Sequence, residues 1–145
     1  MTQRILVLCT GNVCRSPLAA AMLAREFPDR TLESAGLAAL VGWPADPMTI
    51  ESVAPLKLDL SAHRARQVTG AMCRAADLIL VMERDQKIEL SRRYPMVQGK
   101  VFRLGDAGAF DVADPYRGPR RAYETACIEI ASGVNAWGRR IRQLS

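Results

Sequence analysis

At 145 residues, 49% of them hydrophobic and 24% charged, the chain has material for one domain with a sizeable core, spanning 1–145, and not for two. No apolar run approaches the ~20 residues that a membrane-spanning helix needs, and Met1-Thr2-Gln3-Arg4 leads directly into a strand pattern with no room for a signal peptide. A net charge of +5 raises nucleic acid as a partner, but the basic residues are scattered, zinc-finger spacing is absent, and the few aromatics supply few base-stacking platforms.

The expected setting is therefore cytoplasmic, with no membrane insertion and no nucleic-acid partner, and the positive charge suits an anionic substrate. Four cysteines stand at positions 9, 14, 73 and 127. In a cytosolic chain they are reduced by default. Without a C-x-x-C pair, and with His63 as the lone histidine, no metal site is expected.

In chain order, Ile5-Leu6-Val7-Leu8 has the continuous apolar pattern of a strand covered on both faces. Ser16 and Pro17 open a helix, whose apolar face carries Ala19, Met22, Leu23 and Phe27, and Pro28 ends it. Thr31 to Ala35 is a weaker strand, closed by Gly36. The small, turn-rich segment "GLAALVGWPADP" follows, and its Asp46-Pro47 reads as the N-cap and first residue of a second helix, with a kink or stop at Pro55. Leu78 to Met82 is the second strongly buried strand. A polar helix over Arg84–Arg93 precedes Pro95, and Val101 to Leu104 reads as a fourth strand. The last segment is an amphipathic helix with a stripe of Tyr123, Cys127, Ile130, Val134, Trp137, Ile141 and Leu144, in which Gly133 is expected to permit a bend. Strands alternating with helices imply βαβ units and a parallel sheet covered on both sides.

In open α/β folds ligands bind beyond the carboxyl ends of strands, where this chain reads "CTGNVCRS". The segment fails the Walker A pattern, since Gly11 is followed by neither a second glycine nor a lysine. It matches C-x5-R through Cys9 and Arg15. Successive backbone N–H groups before a helix N-terminus form an anion-binding nest, and a cysteine in that potential is favoured as the nucleophilic thiolate. Arg15 offers a planar fork for two phosphoryl oxygens. Gly11 permits a tight turn, Asn12 tolerates left-handed dihedrals, and the Ser16 hydroxyl is placed to hydrogen-bond the sulfur. Phosphate-ester cleavage also needs an acid for the leaving oxygen. Asp106, Asp111 and Asp114 are all candidates.

The run "VLCTGNVCRSPLAAAML" resembles the signature of the low-molecular-weight protein tyrosine phosphatase family. So do "SAG" at Ser34–Gly36, "HRARQV" at His63–Val68, "DLILVME" at Asp77–Glu83 and "DPYRG" at Asp114–Gly118. The similarity covers nearly the whole chain, and "GLAALVGWPADP" is most like bacterial members associated with capsule and exopolysaccharide export. The resemblance implies a single three-layer α/β domain with a four-stranded parallel sheet in the order 2-1-3-4, helices on both faces and a phosphate-binding loop after the first strand. It implies phosphotyrosine hydrolysis through a cysteinyl-phosphate, with Cys9 as nucleophile, Arg15 as clamp and Asp114 as general acid and base, and with neither metal nor cofactor.

By the same resemblance Thr10, Gly11, Asn12, Val13, Cys14 and Ser16 form the cradle, while Ser34 and His63 support Asn12. Leu40 and Tyr116 line the mouth, and Cys14 is a redox partner for Cys9. The implied partner is a phosphotyrosine-bearing protein, a tyrosine kinase of polysaccharide export, met by a monomer.

Three other functions compete. Arsenate reduction needs further cysteines, absent from "LVMERDQK". Arginine phosphatases of the family carry threonine where Val13 stands, and an apolar residue there suits a phenyl ring better. A non-catalytic phosphate-binding module would need neither a thiol nor an acid.

Overall fold

Four short strands lie parallel in the computed structural model, which describes residues 2–144; Met1 and Ser145, the outer limits of the expected domain, lie outside the described residues. The strands β1 (Arg4–Cys9), β2 (Thr31–Gly36), β3 (Leu78–Val81) and β4 (Val101–Arg103) stand in the order β2-β1-β3-β4, as the resemblance implied. The register pairs Cys9 with Gly36 and Leu8 with Val81, so the carboxyl ends of the three longer strands finish side by side.

Alternation along the central strands explains their unbroken apolar runs. Ile5, Val7, Leu78 and Leu80 face a layer made by α1 (Arg15–Glu26) and α5 (Arg120–Leu144), with α2 (Pro47–Val53) at its side. Leu6, Leu8, Ile79 and Val81 face α3 (Gly70–Ala75) and α4 (Arg84–Arg93). Each side chain thus leaves water for one of two cores, at roughly 25 cal/mol per Å² of apolar surface. Asp46 caps α2 as expected, its Oδ1 accepting from the Met48 N–H at 2.9 Å, and a tight 3-10 turn over Ala54–Leu56 ends that helix at Pro55.

The structure adds to the sequence reading at three places. The short helix α3, capped by Thr69, lies in a segment whose only strong apolar signals are single residues. Helix α5 runs without interruption through Gly133, where close packing calls for glycine: a Cβ would stand 2.7 Å from Leu104 Cγ and 2.9 Å from its carbonyl oxygen. The buried stripe of α5 keeps Tyr123, Ile130, Val134, Trp137 and Ile141 of the expected one and is widened by Ala126, Gly133 and Gly138, whereas Cys127 is half-buried and Leu144 is 61% exposed.

Candidate active site

The loop between β1 and α1 joins Cys9 to Arg15 through Asn12. Gly36 lets β2 approach it closely, since a Cβ there would stand 2.5 Å from Thr10 O. Asn12 adopts φ 61°, the left-handed region that asparagine tolerates better than most residues. It is fully buried and its side chain is satisfied throughout. Nδ2 donates to Ser16 Oγ at 2.8 Å and Ser34 Oγ at 3.0 Å, and Oδ1 accepts from the Arg66 N–H at 2.9 Å. The Asn12 carbonyl lies 2.6 Å from His63 Nε2, which must therefore carry the proton and donate. His63 thus touches the loop backbone and lies outside the residues that line the cleft.

Cys9 ends β1 with its sulfur 3.2 Å from the donating Asn12 N–H and 2.9 Å from Ser16 Oγ. A Ser16 lone pair already accepts from Asn12 Nδ2, and the alternative acceptor, Ala35 O, is 3.5 Å away. The hydroxyl proton is accordingly best used on the sulfur. Thr10 is tied to α4, its Oγ1 accepting from Gln86 Nε2 at 3.1 Å.

Arg15 is 1% exposed, with one edge of its guanidinium anchored: Nη1 donates to Glu83 Oε1 at 3.0 Å and to Val112 O at 2.8 Å. Nη2 lies 3.5 Å from Asp114 Oδ2. Nε has no partner at all, alone among the buried side-chain nitrogens and oxygens of the described residues. A buried donor left unpaired costs about 1–3 kcal/mol, and an anion oxygen accepting from Nε would remove that cost.

Asp114 Oδ1 accepts from the Tyr116 N–H at 3.1 Å. The other two candidate acids point elsewhere: Asp106 pairs with Arg140, and Asp111 pairs with Arg103 and accepts from the Arg84 N–H. A cleft of about 170 Å³ is lined by Cys9, Thr10, Gly11, Val13, Cys14, Arg15, Ala38, Leu40, Asp114 and Tyr116. Of its two charged groups, Arg15 is buried and Asp114 is exposed. Trp43 is about half exposed and does not line the cleft.

Behind the loop, Asp46 Oδ2 accepts from the Cys14 thiol at 3.2 Å and from Tyr123 Oη at 2.5 Å, and Tyr123 Oη accepts from the Arg117 N–H at 3.3 Å. Burial, with the Asp46 carboxylate beside it, pushes the Cys14 thiol well above its ordinary range; burial and Asp46 do the same to Tyr123. Sequence reasoning missed Glu83, Gln86, Arg66, Tyr123 and the Val112 carbonyl. Glu83 had a usable signal, since it directly follows a buried central strand at its carboxyl end. Among the described residues no cluster of His, Cys, Asp and Glu could hold a metal ion, and no helix is long and apolar enough to cross a membrane.

Residues 4–144 match the model of the family described as low molecular weight phosphotyrosine protein phosphatase. A probable low molecular weight protein-tyrosine-phosphatase, EpsP of Ralstonia nicotianae, is 50% identical over 144 residues, covering 99% of each chain. The tyrosine phosphatase Wzb from Escherichia coli K30, solved with sulphate, superimposes with a TM-score of 0.94 at 34% identity, over 97% of this chain and 99% of that one. Wzb of Vibrio vulnificus, solved with benzylphosphonate, gives a TM-score of 0.93 at 38% identity over the same shares.

Proposed function

The chain belongs to the low molecular weight phosphotyrosine protein phosphatase family and is a protein tyrosine phosphatase, and from that premise we propose that Cys9, Arg15 and Asp114 carry the reaction. A Cys9 sulfur lone pair forms the S–P bond as the P–O bond to the tyrosine oxygen breaks, and Asp114 gives that oxygen its proton. Arg15 Nε and Nη2, with the loop N–H groups, hold the equatorial oxygens where charge accumulates. Asp114, now ionised, takes a proton from water as the water attacks phosphorus. The S–P electrons return to sulfur and inorganic phosphate leaves.

Thr10, Gly11, Asn12, Val13, Cys14 and Ser16 form the cradle in this reading. Ser16 steadies the sulfur as attacker and as leaving group, while Ser34 and His63 hold Asn12 in its conformation. Leu40 and Tyr116 flank the ring of the substrate, and Val13 favours a phenyl ring over a guanidinium.

The observation that carries the proposal is the unpartnered, buried Nε of Arg15 in a cleft that is also lined by Cys9, whose sulfur is hydrogen-bonded. The partner we propose is a phosphotyrosine-bearing protein, a tyrosine kinase of polysaccharide export. It is supported by the export-type "GLAALVGWPADP" segment and by 50% identity to EpsP.

The test is turnover of phosphotyrosine, phosphoarginine and arsenate by the wild type and by Cys9→Ser and Asp114→Asn. Cys9→Ser is expected to be inert. Asp114→Asn is expected to lose phosphotyrosine turnover yet keep a phosphoenzyme burst on esters with good leaving groups. Equal rates for Cys9→Ser and wild type would overturn the nucleophile, and normal phosphotyrosine turnover by Asp114→Asn would overturn the acid.

A further inference from the structure

The mouth of the cleft on the β2 side is the segment Leu37–Leu40, and its inner edge is stitched to the cysteine loop. Leu37 N donates to Cys9 O at 2.9 Å, Ala38 N to Thr10 O at 3.0 Å and Leu40 N to Gly11 O at 3.0 Å. These bonds leave the Ala39 N–H and the Leu37 carbonyl on the outer edge. Both are met by one side chain: Ala39 N donates to Gln67 Oε1 at 2.9 Å, and Gln67 Nε2 donates to Leu37 O at 2.8 Å. Arg93 Nη1 adds a second donor to Leu37 O at 2.7 Å.

Gln67 is itself fixed. Its segment runs beside the end of β2, with Gly36 N donating to Arg66 O and Val68 N to Gly36 O, both at 2.9 Å. The preceding residue, Arg66, gives its N–H to Asn12. Two adjacent residues thus divide two tasks, the backbone of Arg66 reading the cradle and the side chain of Gln67 reading the wall.

We propose that Gln67 is a positioning residue for substrate, acting through Leu40, which stands over Gly11 at the mouth. The inference rests on the phosphatase reading above and names the residue that sets where its aryl-binding wall stands. An amide is the group that fits, because it presents one acceptor and one donor side by side to an N–H and a C=O two residues apart. The phosphoryl cradle does not depend on it, since Asn12 binds Ser16 and Ser34, and Glu83 and the Val112 carbonyl hold Arg15, without Gln67.

The test compares Gln67→Met, close in volume but without the hydrogen bonds, and Gln67→Ala with the wild type. The readouts are steady-state turnover of a phosphotyrosine peptide and competitive inhibition by inorganic phosphate, which needs the cradle alone. Both variants are expected to raise KM for the peptide about tenfold, the factor that ~1.4 kcal/mol of lost binding gives. Both are expected to leave kcat and the phosphate inhibition constant within about twofold. An unchanged KM in Gln67→Met overturns the hydrogen-bonded clamp even if Gln67→Ala is impaired. A loss of phosphate inhibition in step with KM overturns the division between wall and cradle. If the wild type itself fails to turn over the peptide, the underlying phosphatase reading falls, and this one with it.

Discussion

Arg15 is anchored along one edge of its guanidinium, and Glu83 with the Val112 carbonyl makes that anchor. A buried guanidinium carries a desolvation cost that one carbonyl cannot offset. The Glu83 carboxylate supplies the counter-charge and holds the anchored edge. Glu83→Ala is expected to lower kcat/KM by about tenfold or more, as the fork loses its orientation; steady-state kinetics with wild-type values would contradict this. Cys14 offers a second expectation at this scale. Its thiol is kept protonated by burial and by the Asp46 carboxylate it donates to. If Cys14 traps oxidised Cys9 as a disulfide, the trapping step is slow near neutrality and speeds up as alkaline pH generates its thiolate. Thiol quantification after a peroxide pulse at several pH values reads this directly, and a rate independent of pH would contradict it.

Among the elements, α5 and the ends of β1 and β3 decide how the site is built. Leu104 lies against the bare backbone of α5 at Gly133, so Gly133→Ala is expected to cost about 1–3 kcal/mol by overpacking despite the better helix propensity of alanine. Leu144→Ala, at an exposed position, is expected to stay within about 0.5 kcal/mol of wild type. Urea unfolding separates the two, and a Gly133→Ala midpoint at or above wild type would contradict the packing account. Gly133 also shows where sequence reading stops. Helix periodicity places a stripe within about one residue, but the residue that faces a neighbouring loop depends on which loop arrives, and Leu104 is 29 positions away. The cysteine loop was legible for the opposite reason: its parts lie within eight consecutive residues, Cys9 to Ser16, behind an unmistakable strand. Asp46 was legible as a helix cap but not as the acceptor for Cys14 and Tyr123. Asp106, Asp111 and Asp114 were inseparable by residue type alone; the resemblance singled out Asp114, and of the three it is the one that pairs with Arg15 and lines the cleft.

Across the whole molecule, the order 2-1-3-4 brings the β2 mouth, the β1 cradle and the β3 carboxylate to the carboxyl end of the parallel strands. The amino end is pinned by Asp77, whose carboxylate accepts from the Arg4 and Gln3 N–H groups at 2.9 Å. Those bonds hold its carboxyl below the usual range, and the Arg103 guanidinium, with the Arg84 N–H, does the same for Asp111. A carboxyl with a lower pKa folded than unfolded adds stability above its unfolded value of about 3.9, and that stability fades as pH falls through the folded value. The stability difference between wild type and Asp77→Ala is therefore expected to be full at neutral pH and to shrink below pH ~4. Urea midpoints measured across that range would contradict this if the difference stayed constant.

The central claim is that phosphate passes through Cys9. Its most direct measurement is rapid acid quenching of the wild type with p-nitrophenyl phosphate, followed by mass spectrometry of the peptide containing Cys9 and Cys14. The account predicts one phosphoryl group on Cys9, absent from Cys9→Ser. Phosphate found on another residue, or full turnover by a chain lacking the Cys9 thiol, would contradict it.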